Sequence, residues 1–434
     1  MARGWLPAWL LCAVAFGGAS LIVPLYLVEL GGGAFDLGVL FATSSFVGVP
    51  AALIFGGLAD RTGKRRIFVL VAMAITVGTM LAIPTLESQW AVIMVHALLW
   101  LGFAAAIPIL TLLVVAGEPE HVWSSRIGRL NRFQGYGWSL GLLVGFLVTS
   151  IGAAFFELIT AQRMFFVICA GSAALGFLLA ARALPPDHRP GDEPTPQELR
   201  RLSRRVPTVN LRAAAFPFSP SRYDPRNLKL RRFIDRFTPQ LGLFFAAVLC
   251  AFIGFGVFFA PLPAYLSDIG YESGTIFALY LILNLGAALV YDRVPALAAR
   301  FATIPVHISA LIVRGGTLPG IAIIGIVAGG AAIEIGLTSV TFVVLGLTWA
   351  AIAVTAATLV TTLSPALIRG ESLGVYGALV ALGGGIGGLI GGWLATFGYL
   401  VAFGVAGGLV FVAAGGVRIL HGRIEDAWWE TSRL

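Results

Sequence analysis

Long apolar runs, separated by short polar breaks, occupy most of the chain. They lie at 6–28, 35–59, 67–86, 90–115, 132–153, 163–184, 240–266, 274–297, 318–337, 341–363, 372–395 and 398–419. An α-helix needs about 20 apolar residues to cross a hydrocarbon core of roughly 30 Å, so each run predicts one membrane-spanning helix. The ninth is the least regular, because the preceding stretch 298–317 carries Arg300, His307 and Arg314. That stretch reads either as an interfacial helix leading into the span or as the span's first part. At the N-terminus, Ala13-Val14-Ala15 imitates a signal-cleavage site, but the apolar run continues to Val28. An uncleaved first span is therefore expected.

Composition supports the same picture. Apolar types make up 58% of the 434 residues and charged types only 12%, about half the charge of a typical soluble domain (~25%). That is too little charge to cover a water-facing surface, which excludes a soluble enzyme and a disordered chain. The net charge of +8 does not indicate a nucleic-acid partner, because the basic residues flank apolar runs. They gather in loops on one side: Arg61, Lys64, Arg65 and Arg66 after span 2, and Arg126, Arg129 and Arg132 after span 4. Twelve more lie in 185–238, and Arg418, Arg423 and Arg433 follow span 12. Arg163 is the exception expected on the other side, where the loops carry Glu29, Asp36, Glu87, Glu157, Asp268 and Glu272. By the positive-inside rule both termini are cytoplasmic and the protein is a multi-pass component of the cell membrane.

The stretch 185–238 is rich in Pro and Arg and divides the chain. The expected organisation is an N-terminal six-helix bundle (1–184), a basic cytoplasmic linker (185–238), a C-terminal six-helix bundle (239–420) and a cytoplasmic tail (421–434). The linker's charges suit anionic lipid headgroups. The two halves echo each other. Pro24-Leu25-Tyr26-Leu27-Val28-Glu29-Leu30-Gly31 aligns with Pro263-Ala264-Tyr265-Leu266-Ser267-Asp268-Ile269-Gly270 at a constant offset of 239, and Gly17 falls on Gly256. A second echo joins Gly137, Gly141 and Gly145 of span 5 to Gly383, Gly387 and Gly391 of span 11, with Gly384, Gly388 and Gly392 beside them. Two parallel six-helix bundles related by a pseudo-twofold axis along the membrane normal would enclose a site between them. Small residues such as Gly383, Gly384, Gly387 and Gly388 would let the bundles approach.

The loop after span 2 reads Gly56-Gly57-Leu58-Ala59-Asp60-Arg61-Thr62-Gly63-Lys64-Arg65-Arg66. Here the sequence resembles the major facilitator superfamily of secondary transporters, whose signature in this loop is Gly-x-Leu-Ala-Asp-Arg-x-Gly-Arg-Arg/Lys. The span number, half-length repeat and central linker extend the resemblance over almost the whole chain. It implies transport by alternating access, with Asp60 engaging the start of the eleventh helix and Arg61 an acid at the end of the fourth, for which Glu118 is the candidate. The sequence departs from the family's proton-linked members, with Leu98 where an Arg is common in helix 4. It also has no Gly-Pro pair in helix 5, so the coupling ion, proton or sodium, stays open.

Ionisable groups inside a bilayer are costly and therefore functional candidates. His96 in span 4 is one; a neutral imidazole bonded to a neighbouring helix is the simpler account, a substrate or proton role the sharper one. Glu334 is expected near the outer end of span 9, and Glu29 and Asp268 at matching ends of spans 1 and 7, as gate or helix-end residues. Tyr26, Tyr265, Gln134 and Asn284 would either line a cavity or make interhelical hydrogen bonds. Without a buried Asp or Lys/Arg cluster, the expected substrate is a small neutral, amphipathic or weakly ionised molecule. HExxH, GxSxG and GxxxxGK[ST] are all missing, so neither an enzyme nor an ATP-driven pump is expected. Cys12, Cys169 and Cys250 sit in apolar runs with no metal-ligand spacing; no cofactor or metal is expected. The chain is expected to act as a monomer whose partners are membrane lipid and its substrate. A transporter fold used for sensing is the alternative.

Overall fold

The computed structural model describes residues 4–62, 64–115, 123–152, 155–187, 238–327, 330–365 and 369–431. Most of the linker lies outside them. The described residues form helices and connecting turns, with no strand among them. Spans 1 to 6 are Leu6–Glu29, Ala34–Thr62, Arg65–Ala82, Gln89–Val115, Trp123–Gly152 and Leu158–Ala183. Span 7 is Pro239–Phe259, continued after a break by Leu262–Asp268; spans 8 and 9 are Ser273–Val290 and Thr303–Val327. Spans 10 to 12 are Ala331–Leu363, Arg369–Ala395 and Tyr399–Thr431.

Helix pairing repeats from one half to the other. Span 1 packs on spans 5 and 6, span 2 on span 4, and span 3 on spans 4 and 6. Adding six to each number gives the C-terminal pairs: 7 with 11 and 12, 8 with 10, and 9 with 10 and 12. The halves meet chiefly through span 2 against span 11 and span 5 against span 8, which are again equivalent pairs. This is the arrangement of two six-helix bundles about a pseudo-twofold axis.

Glycine produces the closest approaches. A Cβ on Gly137 or Gly141 would run into the carbonyl oxygen of Leu10 or Val14 in span 1, and one on Gly387 into that of Ile253 in span 7. Gly383 likewise lies against Leu249 and Phe252. Leu10 and Val14 are separated from Leu249 and Ile253 by the same 239-residue offset as the Pro-x-Tyr-Leu motif. Gly17 and Gly256 return the contact, onto the carbonyls of Trp138 and Gly384. In a bilayer every backbone group must be satisfied within its helix, so glycine's weak helix propensity matters less than the close packing it permits.

The Pro-x-Tyr-Leu-x-acid-aliphatic-Gly motif proves to be a helix stop. Gly31 and Gly270 take left-handed φ values of 83° and 88°, which an L side chain would resist. The Gly32 amide then bonds to the Leu27 carbonyl and the Tyr271 amide to that of Leu266, both at 2.9 Å, closing the last turn. Span 1 runs on through Pro24, whereas span 7 breaks near Pro261. Pro261 aligns with Ile22 of span 1, so the break follows from this second proline, which has no amide hydrogen and clashes with the preceding turn.

The ninth span differs from expectation. Of the two readings of 298–317, the span's first part holds from Thr303; the span ends at Val327 rather than 337 and is preceded by the short helix Val294–Phe301 and a turn at Ala302. His307 and Arg314 made its first half look amphipathic, yet both are buried against other helices. Arg314 is therefore a basic residue inside a span, not one of a basic loop. Glu334 consequently falls in the first turn of span 10, not in span 9.

Glycine contacts make a direct prediction for folding. Gly141→Val and Gly387→Val should each abolish recovery of monodisperse protein in detergent. Gly404→Ala, where a Cβ meets nothing within 4 Å, should be recovered at wild-type yield on size-exclusion chromatography.

Candidate functional site

A cavity of about 660 Å³ lies between the bundles at mid-depth, within the size range of small-molecule sites. The N-terminal half lines it with Ser20, Phe41, Ser44, His96, Trp100 and Trp138. The C-terminal half contributes Phe252, Phe255, Phe259, Asn284, Arg314 and Trp349. Trp100 and Trp349 lie on the equivalent spans 4 and 10. The wall is mostly aromatic, with few polar groups.

On the N-terminal side, His96 closes a small network. The indole Nε1 of Trp100 donates to His96 Nε2 at 2.9 Å. An indole N–H can only donate, so Nε2 accepts and the proton of this neutral ring sits on Nδ1. Nδ1 donates to Ser44 Oγ at 2.9 Å, and Ser44 donates in turn to the Leu40 carbonyl at 2.8 Å. His96 is thus a satisfied imidazole that fixes the Trp100 ring. His307 makes a comparable interhelical bond, 2.8 Å to Thr355 Oγ1, but away from this cavity.

Arg314 governs the C-terminal side. It stands in the middle of span 9 and is 1% exposed. One terminal nitrogen donates to the Leu345 carbonyl at 2.8 Å and to Thr348 Oγ1 at 3.1 Å. Its guanidinium carbon lies 4.5 Å from the Phe255 ring centroid, 5.5 Å from Phe259 and 5.6 Å from Trp349, within cation–π range. Nε has no hydrogen-bond partner. The signal in sequence was a lone Arg inside a run long enough to span once its start is moved to residue 303.

The cavity is sealed toward the face whose loops carry the acidic residues. On one side, a Cβ on Gly392 would strike Ala34, Phe35 and Gly38 of span 2, while Gly388 lies against Phe41 and the Gly38 carbonyl. On the other, Gly145 rests on the Phe277 ring and Gly274 on Ser150. Gln162 bonds to Ser273 at 3.3 Å, and Phe165 meets Phe277 edge-on at 5.5 Å. These contacts join the acidic-face halves of the two bundles. Nearer the basic face, Gly377 borders the cavity and a Cβ there would meet nothing within 4 Å. Among the described residues, these contacts close the cavity on its acidic-face side.

Of the residues singled out from sequence, His96, Asn284 and Gly384 line the cavity. Tyr26 and Tyr265 instead donate to the carbonyls of Leu86 (3.0 Å) and Ile321 (3.1 Å), tying spans 1 and 7 to the ends of spans 3 and 9. Gln134 accepts from Trp9 at 3.3 Å, linking spans 1 and 5. Glu29 and Asp268 are exposed at helix ends, and Asp268 accepts from Tyr399 of its own bundle. Gly383 and Gly387 face span 7 within their bundle; only Gly384 and Gly388 turn toward span 2. Gly56 lies on span 2, and Lys64 is exposed just before span 3. Arg65 is half-buried, and Arg66 reaches the Ala181 carbonyl, with its amide 2.6 Å from Asp187 Oδ1, so this end of the loop is held by span 6. Gly63 and Glu118, and the side chains of Asp60 and Arg61, lie outside the described residues.

Known proteins share this architecture. A crystal structure of a mutant peptide transporter, POT, in complex with sulfate superposes with a TM-score of 0.71 at 15% identity, over 97% of this chain and 94% of that one. The nucleoside transporter NupG gives 0.66 at 16% identity, over 96% and 98%. In sequence, the lysosomal dipeptide transporter MFSD1 of Homo sapiens is 29% identical over 135 residues, 31% of this chain and 27% of that protein. The niacin transporter NiaP of Acinetobacter baylyi is 29% identical over 104 residues, 24% of each chain. These matches span only about a quarter of either curated relative. The sequence model of the Major Facilitator Superfamily, by contrast, matches residues 6–333, and the chain belongs to that superfamily.

Proposed function

We propose that the protein is a secondary active transporter that carries a small amphipathic molecule across the cell membrane by alternating access. The observation behind this reading is the cavity lined by both co-oriented bundles, with contacts between them at the acidic face among the described residues. Relatives named for dipeptide, niacin, nucleoside and peptide transport are in keeping with it. In this proposal the halves 1–184 and 239–420 move as units and the segment 185–238 connects them. The basic face is cytoplasmic, with both termini there, and one chain completes the pathway. The cavity residues bind and orient; none is assigned a catalytic step.

The cycle would exchange one seal for another. Rocking would part span 2 from span 11 and span 5 from span 8 at the acidic face, while their basic-face ends close. The loop after span 2 would latch that second seal, with the Asp60 carboxylate at the positive N-terminal end of span 11. Coupling to a proton or sodium gradient would supply direction.

Flux into proteoliposomes tests this reading. Asp60→Asn should insert and accumulate normally but transport at least tenfold more slowly; wild-type flux would remove the latch from the account. Gly392→Val puts bulk where span 11 meets Ala34, Phe35 and Gly38. It should block closure at the acidic face and lower flux by a similar factor, while raising thiol labelling of cavity positions from that face.

A further inference from the structure

Arg314 lacks the counter-charge that a buried cation needs. Among the described residues, every Asp and Glu stands in a turn or near a helix end. None stands at mid-span to face the guanidinium. A cation at the centre of a spanning helix is costly, and the aromatic rings offset only part of that cost. The Leu345 carbonyl and Thr348 hydroxyl satisfy two donor directions of one terminal nitrogen. Nε remains without a partner while the side chain borders a cavity. A charge-assisted pair is stronger than a neutral hydrogen bond, and the planar fork suits a carboxylate.

From these observations we infer that the cavity takes a small aromatic monocarboxylate, its carboxylate on Arg314 and its ring among Phe255, Phe259, Trp349 and Trp100. The inference rests on the transport reading in taking the cavity as the substrate's site, and it names that substrate's class. The lining favours one negative charge and a flat apolar body. There is one cation, so a dianion would be left half-paired, and a zwitterion would bring an ammonium that no mid-span carboxylate receives. Offset-stacked and edge-on ring contacts are available on both sides of the cavity, since Phe252 and Phe255 each meet Trp349 edge-on, at 6.1 and 6.3 Å, and Trp100 faces from the other bundle. The His96–Ser44 network holds Trp100 in place and carries no charge into the site. The pairing also gives the transporter a reason to keep a costly cation that has no carboxylate partner among the described residues.

Thermal unfolding of the purified full chain in detergent reads binding without flux, so this inference and the transport reading fail separately. Benzoate should raise the unfolding temperature saturably. Benzamide, which keeps the shape without the charge, and acetate, which keeps the charge without the ring, should give little or no shift at the same concentrations. In Arg314→Gln the benzoate affinity should fall roughly thirtyfold or more, the loss expected when one partner of a buried charge pair is truncated. Should that variant fail to purify, Phe255→Leu keeps the cation and should weaken benzoate several-fold. No protection by benzoate, equal protection by benzamide or acetate, or wild-type benzoate affinity in the purified variant would overturn the inference. Benzoate protection without benzoate flux in proteoliposomes would uphold the site and overturn the transport reading.

Discussion

Backbone-to-backbone contact at glycine is the interaction on which the architecture depends. A bilayer offers no hydrophobic gain for bringing helices together, since lipid is as apolar as leucine, so association depends on close packing. Spans 5 and 11 meet it by presenting glycines to spans 1 and 7, where carbonyl oxygens occupy the space a side chain would fill. The same span 11 shows its other glycine face to span 2. One helix thus packs within its own bundle through Gly383 and Gly387 and meets the opposite bundle through Gly384, Gly388 and Gly392. The first contact is required for a rigid body; the second is the kind of shallow, side-chain-poor seam that two rigid bodies can open and close.

The bundles enclose a cavity whose chemistry is divided between them. The N-terminal half contributes a neutral, internally satisfied network of Ser44, His96 and Trp100. The C-terminal half contributes a cation held against three aromatic rings. A ligand in contact with both halves would feel any change in their separation, which is how binding can be coupled to the position of the bundles. A ligand bound by only one half would have no differential affinity for the two states and could not shift them.

Much of the fold could be read from sequence because its determinants are local or repeated. Twelve apolar runs, the sidedness of Lys and Arg, and two echoes in register led to the bundle arrangement, but Gly383 and Gly387, expected between the bundles, pack on span 7 within one of them. The Pro-x-Tyr-Leu echo was visible, and the helix-end alternative for Glu29 and Asp268 agrees with their place beside the stops at Gly31 and Gly270, whose left-handed φ is not written in composition. The site was harder to foresee. Trp100, Trp349 and Phe255 look like any apolar residue in a span, and only three-dimensional convergence separates them from lipid-facing neighbours. Arg314 was seen and misplaced, since hydropathy treats a buried, aromatic-caged cation as it treats a solvated one. With Arg300 and His307 it left 298–317 open between a lead-in helix and the span's first part, and Glu334 was carried into the wrong helix.

Two rigid bundles that pivot about the cavity must open its two faces reciprocally. Spin-label distances in lipid nanodiscs address this reciprocity most directly, with one pair at Ile151 and Glu272 on the acidic-face ends of spans 5 and 8 and another at Gly128 and Asp292 near their basic-face ends. The account predicts two populations in which one distance lengthens as the other shortens, while a pair within one bundle keeps a single distance. Distances that lengthen together, or that stay fixed at both faces while solute crosses the membrane, would contradict it.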